Sequence, residues 1–338
     1  MRFESPVQFL KKHADAEIYI KRDDKIPFSF GGNKVRIAAE LIADMKRRGF
    51  DSVISYGSPG SNMNRAVAHM AMLYDIPCRV IIKMDMPEEN KSAAWSKAYT
   101  DTLKQQNADD HIPLNEKFVL SSSAVVTYCN AYNVRETVEN VIAEEKSLGR
   151  RPYYIYGNSM GQGNRTALMM ASFREYGEIR RFEKESGTAF DHIFLAAGTG
   201  ATIAGLTAGE RTEITVESRA LLKTPLIHGI SVARTADRER EVILDDLYSF
   251  NPAVMDPDND GFYITDEYLC GGYGKYNDGI MSCIERMLLE HAVPLDPTYT
   301  GKAFYGMEQE IEKTGISGSC LFIHTGGYPL FADMISGT

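Results

Sequence analysis

Several segments of this 338-residue chain repeat one order of residues: a short apolar run, a loop rich in glycine, serine or asparagine, and a helical pattern. In DSVISYGSPGSNMNRAVAHMAMLY the apolar run lies near residues 52–56 and the loop covers residues 57–62. PYYIYGNSMGQGNRTALMMASF and DHIFLAAGTGATIAGLTAG repeat this arrangement. Apolar strands that alternate with helices are typical of an α/β protein with parallel sheets. Ligands of such sheets bind at the carboxyl ends of the strands, where these loops would lie.

Composition and charge narrow the class of protein. The 43% hydrophobic and 25% charged residues are typical of a soluble globular chain. The net charge of −9 argues against nucleic acid as a partner. No apolar run approaches the ~20 residues that cross a bilayer, and the N-terminal segment lacks the apolar core of a signal peptide. We therefore expect no membrane partner and a cytoplasmic location.

The cysteines and histidines do not indicate a metal site. The five cysteines are widely spaced and include no CxxC pair, and the seven histidines show no HExxH spacing. We expect no metal, and buried thiols in a reducing compartment.

The length suits about two domains at roughly 150 residues each. We expect a smaller α/β domain, residues 48–165, inserted into a larger domain formed by residues 1–47 and 166–338.

The stretch FSFGGNKVR, residues 28–36, places Lys34 at the start of a predicted helix. Apolar residues recur at helical spacing after Lys34, and Gly49 follows the basic run KRR as a helix end. Asn33 is a good N-cap, which puts Lys34 in the first turn. The helix dipole disfavours a cation there and so favours the neutral, nucleophilic amine. The alternative is a solvated surface lysine behind a tight turn.

GTGAT, residues 198–202, follows an apolar strand and opens a predicted helix. Its backbone N–H groups, with the hydroxyls of Thr199 and Thr202, would cradle a phosphate. It is not a Walker loop, and the third glycine of a dinucleotide fingerprint falls at 205 instead of 203. The alternative is a loop that only lets strand and helix pack closely.

A second loop before a helix, SPGSNMNR at residues 58–65, has side-chain donors at Ser61 and Asn62 and suits a carboxylate. An N-cap at either residue is the alternative.

Three stretches near the C-terminus place hydroxyl side chains beside glycines: Tyr273 in YLCGGYGKYNDG, Tyr299 and Thr300 in LDPTYTGKAF, and Thr325 in FIHTGGYP.

Together these motifs resemble fold-type II pyridoxal-phosphate (PLP) enzymes, in particular the branch with 1-aminocyclopropane-1-carboxylate deaminase, D-cysteine desulfhydrase and L-cysteate sulfo-lyase. The resemblance covers roughly residues 15–335, and LDPTYTGKA and FIHTGG are its specific signals. It implies a two-domain, tryptophan synthase beta-like fold with parallel-rich twisted sheets flanked by helices. It also implies PLP as cofactor, a small amino acid as substrate and a homodimer.

The resemblance also implies roles for the candidate residues. Lys34 matches the Schiff-base lysine, Asn62 the residue beside the phenolic oxygen of the cofactor, and Thr325, with Thr300 nearby, the group that faces the pyridine nitrogen. The expected catalytic residues are Lys34, Ser61, Tyr273 and Tyr299. The expected cofactor-binding residues are Lys34, Asn62, Gly198, Thr199, Gly200, Ala201, Thr202, Thr300 and Thr325. The expected substrate-binding residues are Ser61, Asn62, Met63, Tyr273 and Tyr299.

The chain departs from the pattern of this family at four places. GSNM stands where relatives have QSNH or QSNQ, which removes two polar side chains near the substrate carboxylate. Ile37 replaces a basic residue expected to neutralise the phosphate, and Ala201 replaces a common glycine. Thr300 stands where the cyclopropane deaminases have a glutamate, which argues against that activity.

We expect a PLP-dependent lyase or deaminase that eliminates a β-leaving group and gives a 2-oxo acid and ammonia. A neutral threonine would not hold a proton on the pyridine nitrogen, and the less delocalised carbanion favours prompt loss of that group. The alternatives are a 1-aminocyclopropane-1-carboxylate deaminase, a β-replacement synthase, a nicotinamide oxidoreductase, and a relative that binds the cofactor without turnover. The sequence leaves the amino acid and its stereochemistry open.

Overall fold

The computed structural model describes residues 3–84, 112–161, 163–216 and 223–337. The chain divides into two compact units, which we call the first and second units. The first unit is formed by Met1–Ile37 and Leu168–Phe331, and the second by Ala38–Ala167 and Ala332–Thr338. The domain limits expected at residues 48 and 165 stay a prediction.

The first unit contains a six-stranded sheet in the order β1-β2-β10-β7-β8-β9. Its strands are β1 (Val7–His13), β2 (Ala16–Arg22), β7 (His192–Ala197), β8 (Leu226–Ser231), β9 (Phe262–Thr265) and β10 (Gly318–His324). The β1–β2 pair is antiparallel, and every other pair in this sheet is parallel. The carboxyl ends of β7, β8 and β10 therefore meet at one edge of the sheet.

The second unit contains a four-stranded parallel sheet in the order β5-β4-β3-β6. Its strands are β3 (Ser52–Gly57), β4 (Cys78–Lys83), β5 (Val125–Cys129) and β6 (Pro152–Tyr154). The α/β class with parallel-rich sheets that the sequence predicts is therefore confirmed.

Ten helices flank the strands in the described parts of the chain. They are α1 (Asn33–Arg47), α2 (Asn62–Leu73), α3 (Leu114–Leu120), α4 (Val134–Ser147), α5 (Arg165–Ser186), α6 (Ala201–Val216), α7 (Ala236–Phe250), α8 (Asp278–His291), α9 (Thr300–Thr314) and α10 (Tyr328–Ser336). None of these helices combines the length and the apolarity that a membrane crossing requires.

Each sheet packs its apolar side chains against the helices of its own unit. In the first unit Leu195 of β7 lies in one cluster with Leu206 of α6 and Ile243 of α7. In the second unit Ile54 of β3 clusters with Val138 of α4. These buried layers fix the strands, and the loops at their carboxyl ends are thereby held in place.

Candidate active site

Gly32 packs the start of α1 closely against the loop that follows β10. Gly32 has a φ of +97°, and a Cβ at that position would lie 2.8 Å from the carbonyl oxygen of Thr325. The N–H of Asn33 donates to the same oxygen at 3.0 Å. Because only glycine allows both this φ and this approach, Gly32 fixes the backbone that precedes Lys34 against Thr325.

Lys34 lies in the first turn of α1, as the sequence predicts. Its side chain is half-buried, and loss of hydration lowers the pKa of the amine to about 8. Within the described residues the amine has no hydrogen bond or ion pair, and the first turn of α1 contains no acidic residue. Nothing nearby favours the protonated form, so Lys34 is a lysine whose neutral, nucleophilic form is accessible near neutral pH.

The loop between β7 and α6 contains the predicted phosphate cradle. Gly200 has a φ of +82°, and a Cβ there would lie 2.9 Å from Ile243. Ala201 is the first residue of α6, and the first turn of this helix has no acidic residue. The free N–H groups at this helix start can therefore accept an anion.

Asn33 connects this cradle to the lysine. The sequence predicts Asn33 as the N-cap of α1, but Asn33 is the first residue of the helix, and its side-chain amide donates to Thr202 Oγ1 at 3.2 Å. Since its backbone N–H also bonds to Thr325, one residue joins the cradle, the start of α1 and the loop after β10.

The two candidate tyrosines contact each other. The hydroxyls of Tyr273 and Tyr299 lie 2.7 Å apart. A Cβ at Gly198 would lie 3.7 Å from the ring of Tyr299, so this tyrosine adjoins the cradle. The fully buried Lys302 donates to the carbonyl oxygens of Leu269 and Gly272 at 2.9 and 3.1 Å and so ties down the loop that presents Tyr273.

The two candidate threonines differ in what their hydroxyls can still bind. The buried Thr300 hydroxyl donates to Asp296 Oδ2 at 2.7 Å and accepts from the Asp296 N–H at 2.9 Å. The half-buried Thr325 hydroxyl has no partner within the described residues. Thr325 is therefore the better placed of the two to bind a further group.

The second unit contains the other predicted residues, at the start of α2. Ser61 caps the helix, and its Oγ accepts from the Asn64 N–H at 3.2 Å. Met63 is only 8% exposed and packs inward. The Asn64 side chain accepts from Ser55 Oγ at 2.6 Å. The buried amide nitrogen of Asn64 has no partner within the described residues. A Cβ at Gly57 would lie 3.2 Å from this nitrogen and 2.5 Å from Ser61 Oγ.

Asn62 is held by two residues that the sequence did not single out. Its Oδ1 accepts from Arg65 at 3.2 Å and from Asn115 Nδ2 at 3.0 Å. Arg65 is only 1% exposed, and loss of hydration lowers the pKa of its guanidinium to about 10. The one available signal was Arg65 itself, a charged residue directly before the largely apolar run AVAHMAM; nothing local points to Asn115.

The predicted residues therefore form two sets, one in each unit. Lys34, Gly198, Thr199, Gly200, Ala201, Thr202, Tyr273, Tyr299, Thr300 and Thr325 belong to the first unit, and Ser61, Asn62 and Met63 belong to the second. No group of three or more side chains able to hold a metal ion occurs in the parts of the chain that the structure describes.

The residues of the first unit fit PLP. The cofactor needs a cradle for its phosphate, an accessible amine and a group opposite its pyridine nitrogen. The candidates for these three roles are residues 198–202, Lys34 and Thr325. Ile37, which stands where a basic residue was expected, is a core residue at 1% exposure and contributes no charge.

One acidic side chain, Glu239, lies close to Gly200 of the cradle. Glu239 Oε1 lies 3.6 Å from the place of a Gly200 Cβ and has no hydrogen-bond partner within the described residues. Burial raises the pKa of this carboxyl, and Arg234 donates to its other oxygen at 2.8 Å. The Arg234 guanidinium offsets part of the negative charge that a phosphate would meet there.

A model of the family described as "Pyridoxal-phosphate dependent enzyme" matches residues 5–326. The chain belongs to this family. It is therefore a PLP-dependent enzyme, and the cofactor predicted from the sequence is confirmed. The match also favours PLP over a nicotinamide dinucleotide as the cofactor of this chain.

Known proteins of similar sequence and structure span nearly the whole chain. A putative 1-aminocyclopropane-1-carboxylate deaminase of Pyrococcus abyssi is 28% identical over 97% of this chain and 90% of that protein. A D-cysteine desulfhydrase of Yersinia pestis is 28% identical over 97% and 93%. The crystal structure of an ACC deaminase homologue superposes with a TM-score of 0.74 at 26% identity, over 99% of this chain and 93% of that one. The resemblance to this branch is confirmed.

Proposed function

We propose that this PLP enzyme catalyses α,β-elimination on a small amino acid with a β-leaving group, and that it releases a 2-oxo acid and ammonia. The observation that carries the proposal is Lys34: its amine has a pKa of about 8, and the preceding residue, Asn33, bonds to both Thr202 and Thr325. D-cysteine desulfhydrases are among its relatives, and this activity fits their name.

The residues of the first unit would act as follows. Residues 198–202 would bind the cofactor phosphate through the N–H groups at the start of α6. Bound PLP supplies an electron sink for negative charge at the substrate Cα. Lys34 would act as the general base and remove the Cα proton. Thr325 would face the pyridine nitrogen as a neutral group, so it would not hold a proton there as a carboxylate would.

The remaining roles concern the substrate. We propose that Ser61, at the positive end of the α2 dipole, binds the substrate carboxylate. Because the Ser61 oxygen already accepts the Asn64 N–H, its own proton is available for donation to that carboxylate. The hydrogen-bonded hydroxyls of Tyr273 and Tyr299 can exchange a proton and would flank the reacting atoms.

The test is a screen of D- and L-amino acids that carry thiol, sulfite or similar groups at Cβ, with 1-aminocyclopropane-1-carboxylate in parallel. Release of the 2-oxo acid, ammonia and the leaving group from a β-substituted amino acid supports the proposal, provided that the Lys34→Ala variant releases none. Turnover of the cyclopropane substrate alone would contradict it in favour of the deaminase. Consumption of an added thiol would instead indicate β-replacement, and no turnover with any substrate would indicate a cofactor-binding relative without this activity.

We also propose a homodimer in the cytoplasm. The dimer rests on the resemblance to the family. The location is supported by the free state of all five cysteines, four of them buried, because such thiols persist in a reducing compartment. Light scattering coupled to size-exclusion chromatography would give the mass of the assembly, and a monomer would contradict the dimer.

A further inference from the structure

The side-chain amide of Asn62 is oriented by its neighbours. Its Oδ1 receives two donors, Arg65 Nη2 at 3.2 Å and Asn115 Nδ2 at 3.0 Å. A nitrogen in that place would face two donors with no lone pair to accept them, so the oxygen must occupy it. The amide nitrogen then faces the opposite way, and within the described residues it has no partner.

Asn115 has little freedom to change this arrangement. It is fully buried on α3, and its Nδ2 also donates to the carbonyl oxygen of Gly60 at 2.9 Å. Its Oδ1 accepts from Arg65 Nε at 2.7 Å. Asn115 thus binds the loop before α2, the Asn62 side chain and the guanidinium at once.

Arg65 places a positive charge beside the Asn62 amide. It follows Asn62 by three residues, one turn along α2, and its guanidinium is almost completely removed from water. A cation in such surroundings polarises the amide to which it donates and strengthens the N–H on the far side as a donor.

We propose that Arg65 and Asn115 are positioning residues: they turn the Asn62 amide so that it presents a polarised N–H donor to the phenolic oxygen of PLP. This inference rests on the proposed function and on the contact between Asn62 and that oxygen that the resemblance to the family implies. A donor at this oxygen stabilises its deprotonated form. Without the two residues the amide would be free to rotate and to offer its own oxygen, which repels the phenolate.

The experiment uses holoenzyme of the wild type and of three variants. Asn115→Asp keeps an acceptor for Arg65 but loses both N–H donors. Arg65→Lys keeps the charge but cannot bond to Asn62 and Asn115 at once as the guanidinium does. This variant provides the test if Asn115→Asp does not fold. The matched control is Tyr128→Phe, which removes a 2.7 Å hydrogen bond to Glu116 on the same helix and leaves Asn62 untouched.

Two quantities are measured: the pH at which the visible absorption of the bound cofactor changes, and the rate at which the cofactor dissociates. Neither depends on which substrate the enzyme uses. We expect both site variants to shift the spectral change to higher pH and to lose the cofactor about tenfold faster, in line with one lost hydrogen bond to a charged group. We expect Tyr128→Phe to behave as the wild type.

Two results would overturn the inference: site variants with the wild-type spectrum and dissociation rate, or equal changes in all three variants, which would show only a loosened α3. Wild-type protein without bound PLP would instead contradict the proposed function, so the two failures are distinguishable.

Discussion

Lys34 should lower the stability of the cofactor-free enzyme, and replacing it with methionine should therefore stabilise the fold. The amine is half-buried at the positive end of α1 and has no partner within the described residues. A protonated amine there is poorly hydrated and is repelled by the helix dipole. Methionine has a similar length but carries no charge, so it avoids both the loss of hydration and the repulsion by the helix dipole.

The size of the effect follows from the pKa of Lys34, which falls from 10.5 to about 8. Each pKa unit corresponds to about 1.4 kcal/mol, and with allowance for the water that still reaches the side chain we expect a gain of about 2–3 kcal/mol at pH 7. Below pH 8 the lysine is protonated in both states, so the cost is fully present. Between pH 8 and pH 10.5 the folded state releases the proton first, and the cost disappears.

The assay is urea unfolding of the cofactor-free wild type and the Lys34→Met variant at pH 7 and pH 10. Lys25→Met, at an exposed lysine of the same unit, is the control and should change the free energy of unfolding by less than about 0.5 kcal/mol. A gain at pH 7 that largely vanishes at pH 10 supports the reasoning. A loss of stability, or a gain of equal size at both pH values, would show that Lys34 is not a desolvated lysine.

Three further predictions concern the frame and the site. Gly32→Ala should cost about 1–3 kcal/mol in urea unfolding, because its Cβ would collide with the Thr325 carbonyl at a φ of +97°; an unchanged midpoint would contradict the close packing. Glu175 is fully buried, its oxygens lack partners within the described residues, and burial raises its pKa to about 8. Glu175→Gln should therefore leave stability unchanged below pH 4.5 and increase it progressively up to pH 8, since the unfolded wild type releases its proton first; a gain that does not grow with pH would refute this. Tyr273→Phe and Tyr299→Phe should each lower kcat about 100-fold or more with the cofactor spectrum unchanged, and the double variant should be little worse than either; a wild-type kcat in both single variants would remove them from the mechanism.

The local pattern of the sequence predicted much of the fold. The apolar run near residues 52–56 is β3, and the helix expected after Gly32 is α1, which ends two residues before Gly49. Both features depend on periodicity and on helix-stop residues, which act over a few residues. The antiparallel β1–β2 pair was not predicted, although it forms the edge of the first sheet.

Residues of the candidate site could be proposed from the sequence only where a motif marks them. Lys34 and residues 198–202 stand in recognisable glycine contexts. The bond from Asn115 to Asn62 joins residues 53 positions apart, and the bond from Asn33 to Thr202 joins residues 169 positions apart. Packing brings these residues together, so no local pattern in the sequence marks either contact. The sequence does not mark Lys302 either, because nothing distinguishes it from any other lysine of a helix. Its role depends on its hydrogen bond to a carbonyl oxygen of another loop.

The covalent link between PLP and Lys34 is the central claim, and reduction of the holoenzyme with borohydride followed by peptide mapping tests it most directly. We predict that the reduced cofactor is found on the peptide that contains Lys34, and on no other lysine. A preparation that binds PLP but carries the label on a different peptide, or on none, would contradict the account.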